Sequence, residues 1–130
     1  MKSLRIVLAG VAAASLGALI PNIAVADAPQ AIGIAAQHAG LAANAGNINV
    51  VHTHMHHVLN CLVGPGGDGF DAMPGNPCAM AGGAIPQENN AEMKTKLLNV
   101  AAQIRAGIGE SNMDAAKKIA TDAQKDLGAK

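Results

Sequence analysis

Four histidines fall within six residues, His52-Thr53-His54-Met55-His56-His57, and the fifth, His38, lies one short helix upstream. Imidazole is the commonest protein ligand for transition metals and the side chain whose charge changes nearest neutral pH. In a chain with no Trp, no Tyr and one Phe, this cluster is the only dense chemistry. His52 and His56 stand i, i+4, a spacing that puts both imidazoles on one face of a helix. The HExxH zinc sites use the same spacing. Here Thr53 stands where a metalloprotease carries its general-base Glu, so that reaction is excluded.

The cluster therefore points to metal binding, with His38, His52 and His56 as the leading ligand set and His54 and His57 as auxiliary ligands. The residues alone leave open whether His38 is completed by the His52–His56 pair or by His54. Imidazole suits Zn, Cu and Ni, and Cu(II) binds tightest among divalent ions. Met55, Met73 and Met80 would add soft donors for Cu(I), although Met55 falls at a core position. Protons are the competing ligand: crowded imidazoles repel once charged, the basis of a pH switch. Asp68-Gly69-Phe70-Asp71 lacks the remaining oxygen ligands of a calcium loop. No C-x-x-C-H is present, which excludes covalent haem of the c type and leaves a non-covalent haem on His38 as an alternative. No serine–histidine–acid or cysteine–histidine arrangement stands out, so binding, not catalysis, is expected.

Four helical segments would position these rings. Helical periodicity predicts a first helix over about 29–45, with Ile34, His38, Leu41 and Ala45 sharing an inward face. Gly46-Asn47 breaks it, and Asn47 or Asn49 caps a second helix that ends near Val63. Val51, Met55, Val58, Leu59 and Leu62 form its apolar stripe, with His52 and His56 on one flank, His54 on the other and His57 turned away from the core. Residues 64–87 hold seven Gly and four Pro and read as a long loop, with Phe70 pinning it under the end of the helices. A third helix over about 89–107 carries Met93, Leu97, Val100, Ala101, Ile104 and Ile108 on one face. A fourth, capped by Ser111 or Asn112 and stopped by Gly128, carries Ala116, Ile119, Ala120, Ala123 and Leu127 inward. Ala45–Leu62 aligns without a gap to Glu110–Leu127, a pattern of internal duplication. The expected fold is all-α: a four-helix up-down bundle of two αα-hairpins joined by the Gly/Pro loop. The loop is also a possible docking surface, which makes a protein-interaction module the second functional reading.

The N-terminus sets the compartment. Lys2 and Arg5, an apolar run from Ile6 to Ile20, and Ala24-Val25-Ala26 before Asp27 have the three-part plan of a secretory signal peptide over 1–26. The remaining single domain, 27–130, has no second segment that would span a bilayer, and its expected place is the periplasm or the extracellular medium. An oxidising compartment favours a Cys61–Cys78 disulfide over two thiolate ligands. Seven basic residues against nine acidic ones in 27–130 disfavour nucleic acid as a partner.

The chain resembles the small, exported, histidine-rich metal-binding proteins that fold as four-helix bundles. The likeness rests on Ala35-Ala36-Gln37-His38-Ala39, a short Gly/Asn turn, and Val51-His52 through Leu59, about a third of the chain. It implies binding or buffering of a divalent metal ion. Those proteins spread histidines over all four helices, whereas the last two helices here have none, so one or two ions are expected.

Overall fold

Apolar residues recurring every three to four positions wind the chain into helices whenever a turn residue lets each one stop. The computed structural model describes residues 28–128, so the expected signal segment 1–26 lies outside the described residues. Within them all regular structure is helical, with no strand: α1 (Ala28–Ala43), α2 (Ile48–Val63), α3 (Ala84–Gln87), α4 (Ala91–Ile108) and α5 (Met113–Gly128). Asparagine opens three of these. The side chains of Asn47, Asn90 and Asn112 accept from the backbone N–H of Val50, Met93 and Ala115. Each satisfies an amide that the first turn leaves unpaired, a contribution of about 1 kcal/mol. None of the described helices is long and apolar enough to cross a membrane.

The four long helices pack in a ring: α1 against α2 and α5, and α4 against α2 and α5. Val51, Met55, Val58, Leu59 and Leu62 of α2 are all buried, as are Leu97, Val100, Ala101 and Ile104 of α4 and Ala116, Ala120, Ala123 and Leu127 of α5. The inward face of α1 differs from the expected one. Ala31, Ala35, Ala39 and Ala42 are fully buried, while Ile34 and His38 are half-buried and Leu41 is exposed. An alanine face lets the neighbouring helix backbones come close, so bulkier side chains are displaced to the flanks. His38 thus sits on the seam between α1 and α2, not in the centre of the core.

The segment from Gly64 onward is held at several points. The Cys61–Cys78 disulfide joins it to the end of α2, with Cα atoms 5.1 Å apart. Closing this loop is worth about 3 kcal/mol in the chain-entropy account. Phe70 packs against the core, and Arg105 of α4 donates to the Asp68 carbonyl at 2.7 Å while pairing with the Asp68 carboxylate. Asn60, buried on α2, donates to the carbonyls of Asp71 and Gly75 and accepts from the Asp71 N–H. The loop was expected to run to residue 87, but its last four residues form α3, whose Ala84 and Ile85 carbonyls accept from the Glu88 N–H. At the base of the loop, Gly64 (φ 72°) and Gly83 lie backbone to backbone. A Cβ on Gly83 would stand 2.6 Å from Gly64 N. Gly83→Ala is therefore expected to cost about 2 kcal/mol, the usual scale of overpacking, read as a lower urea midpoint with an unchanged m-value.

The gapless match between Ala45–Leu62 and Glu110–Leu127 has a structural counterpart. α2 and α5 are both 16 residues long and begin 65 positions apart, and α1 and α4 end 65 positions apart. The capping residues Asn47 and Asn112 keep the same offset. So do two long-range bonds: Lys117 Nζ donates to the Ala45 carbonyl at 3.0 Å, and His52 Nε2 donates to the Glu110 carbonyl at 2.9 Å. Each helix pair thus reaches across to cap the turn of the other.

Candidate metal centre

Three of the five histidines converge. His54 and His57 are three apart on α2 and share the flank that faces α1, where His38 meets them. His38 Nδ1 lies 3.1 Å from His54 Nδ1 and 3.2 Å from His57 Nδ1. One ligating nitrogen from each ring falls within 4.8 Å of the others, and all three residues are half-buried. The His57 ring stands edge-on to both neighbours, with centroids 4.7 Å from His38 and 5.6 Å from His54. This group could hold a metal ion.

The loop fixes one of the rings. His57 Nε2 lies 2.7 Å from the Pro74 carbonyl. A carbonyl only accepts, so Nε2 carries the proton and Nδ1 of the neutral ring presents its lone pair to His38. A backbone carbonyl that orients a histidine through its distal nitrogen is the usual outer partner of a metal-binding imidazole. The segment that supplies Pro74 is the one bonded to Asn60 on both sides, through Asp71 and Gly75.

Crowding favours neutral rings. Burial, then the neighbouring His57 and His54, lower the His38 pKa from 6.5 to about 4. Burial and His57 lower that of His54 as well. Both shifts favour the neutral ring, the form that keeps a lone pair for a metal ion. The same shifts affect the metal-free fold. Below pH 6.5 the unfolded chain protonates at His38 while the folded chain does not, so the unfolded state binds more protons and stability falls as pH drops. For His38 the loss is expected to accumulate between about pH 6.5 and about 4 and then level off. Urea midpoints measured across that range in the presence of chelator test it, and a His38→Gln variant should flatten the curve.

The expected His38–His52–His56 set is not the one the fold assembles. His52 caps the turn before α5 through Glu110, opposite its counterpart Lys117. His56 turns toward the loop, with Nδ1 3.8 Å from the Asp71 carboxylate and no hydrogen-bond partner of its own. The i, i+4 pair lies on the flank of α2 away from α1, so its shared face looks toward other elements. His54 and His57, read from sequence as auxiliary, are the residues that meet His38. The positions 65 residues after His38, His54 and His57 are Gln103, Ile119 and Asp122, which line a cleft between α4 and α5. That cleft lacks the imidazoles, and Asp122 is paired with Lys118 at 2.6 Å. Of the two matching halves, one therefore carries the three-histidine group.

No family model, no curated protein and no solved structure matches this chain.

Proposed function

We propose that this protein is an exported, non-enzymatic binder of a divalent transition metal ion, taking Zn(II), Cu(II) or Ni(II) through His38, His54 and His57. The single observation that carries the reading is the approach of three imidazole nitrogens to within 4.8 Å on two adjacent helices. The preference for neutral rings and the carbonyl behind His57 support it. We read the scaffold as a four-helix up-down bundle of two hairpins, on the strength of the ring of helix contacts and the 65-residue offset. This is also the architecture of the exported histidine-rich proteins that the sequence resembles. Export to the periplasm or medium rests on the signal-like residues 1–26 and agrees with a disulfide at Cys61–Cys78.

The haem alternative is not favoured. A bis-histidine haem needs its axial nitrogens on opposite faces of the porphyrin, and nitrogens 3.1 Å apart leave no room for a ring between them. Calorimetric titration of the purified, chelator-treated protein with each of the three ions tests the proposal. One ion bound per chain is the expected result, and no saturable uptake of any of them would overturn it.

A further inference from the structure

The three histidines fix more than the presence of an ion. They define which atoms hold it and which coordination position they leave free. Because His57 Nε2 is committed to the Pro74 carbonyl, its only available donor is Nδ1. Nδ1 is also the atom of His57 that lies 3.2 Å from His38 Nδ1, which in turn lies 3.1 Å from His54 Nδ1. A tetrahedral ion bound to nitrogen at about 2.0–2.1 Å holds neighbouring donors about 3.3 Å apart. The two edges that meet at His38, 3.1 and 3.2 Å, are close to that length, and the third lies within 4.8 Å. Three such nitrogens cover one face of a tetrahedron.

The fourth vertex has no protein donor of the usual kinds. No other His, Cys, Asp or Glu among the described residues joins the group. Ala35, Ala39, Met55 and Val58, the sequence neighbours of these histidines on α1 and α2, are all fully buried, and Met55 is the one thioether among them, at a packed position. The Nε2 side of His57 is closed by the loop at Pro74 and Gly75. All three residues are half-buried, not enclosed, so we assign the open vertex to the solvent side of the α1–α2 seam.

We infer that the bound ion is held by the Nδ1 atoms of His38, His54 and His57 with one exchangeable outward position, which takes a small monodentate donor: water, a small anion such as azide, or free imidazole. This rests on the metal-binding reading above and specifies its chemistry. An ion with an exchangeable position can be captured and surrendered by stepwise ligand exchange, which suits delivery to a second donor more than permanent storage. Structural zinc sites close all four positions with protein ligands, whereas sites with three protein ligands keep the fourth for solvent or substrate.

The test uses Co(II) as the probe, because its visible absorption reports coordination number and donor type. The purified protein is loaded with one Co(II) per chain and titrated with sodium azide. The expected result is a saturable shift in wavelength and intensity of the Co(II) bands. Co(II) that binds but whose spectrum ignores azide would show a closed site and overturn this inference while leaving the metal reading intact. Failure to bind any of Co(II), Zn(II), Cu(II) or Ni(II) would overturn both. The donor assignment has its own readout in the metal-free protein: long-range ¹H–¹⁵N NMR is expected to show His57 as the Nε2–H tautomer, and an Nδ1–H tautomer would overturn it.

Discussion

Replacing His54 or His57 by alanine is expected to weaken metal binding at least about 100-fold, equivalent to about 2.7 kcal/mol, while replacing His52 or His56 leaves affinity within about threefold. The contrast follows from placement. Removing one of three converging imidazoles leaves two donors, and even loss of an outer-shell partner commonly costs 10–100-fold. His38→Ala is expected to behave like the first pair, since His38 is the ring closest to both others. His52 and His56 serve as internal controls because they are chemically identical and lie on the same helix. His52→Ala should instead reveal a structural role, with a loss of about 1 kcal/mol of stability from the Glu110 bond. Competition against a chromophoric chelator measures the affinities, and urea denaturation separates them from folding. Equal losses for all five histidines would mean diffuse surface binding. Loss confined to His52 and His56 would mean the wrong rings have been assigned.

The sequence stated the helices more clearly than their faces. Polar caps and glycine breaks mark ends directly, which is why the turn at Gly46-Asn47 was readable and the α2 cap was narrowed to Asn47 or Asn49, of which Asn47 caps the helix that starts at Ile48. The buried stripes of α2, α4 and α5 were readable because large apolar residues recur there at helical spacing. α1 was misread for a physical reason. When alanines make the contact, the largest apolar side chains no longer mark the core, and Ile34 and Leu41 drew the inward face away from Ala31, Ala35, Ala39 and Ala42. The choice between ligand sets, His38 with His52 and His56 or His38 with His54, stayed open for a related reason, and the fold brings His54 and His57 to His38. Periodicity put His52 and His56 on one flank of α2 and His54 on the other, but it does not say which flank faces α1; that depends on how the chain turns at residues 44–47. The level of the contact was legible, since a tight turn near Asn47 brings His38 beside His57. The repeat carries a signal for His52: the position 65 residues after it is Lys117, a residue that caps a turn.

Asn60 links the stability of the loop to the geometry of the site, and Asn60→Ala is expected to cost about 3–4 kcal/mol. It is the one buried polar residue among those described, and its amide makes three bonds to loop backbone, donating to Asp71 and Gly75 carbonyls and accepting from the Asp71 N–H. Deleting it leaves those partners without a bond in a part-buried setting, at about 1–3 kcal/mol for each that water does not reach. Asn60→Asp sharpens the test. It keeps the shape and the acceptor for Asp71 N–H, but it sets a carboxylate oxygen against two carbonyls. It is expected to destabilise at least as much as alanine, which would separate lost donation from lost packing. The effect should also reach the metal. Pro74 lies between the two residues that Asn60 holds, and its carbonyl orients His57. Loosening that segment frees the His57 ring to rotate, so folded Asn60→Ala is expected to bind its ion about tenfold more weakly, at the lower end for loss of an outer-shell partner. Affinity measured at a temperature where the variant is fully folded checks this. Unchanged affinity in a destabilised variant would show that Asn60 supports the fold without tuning the site.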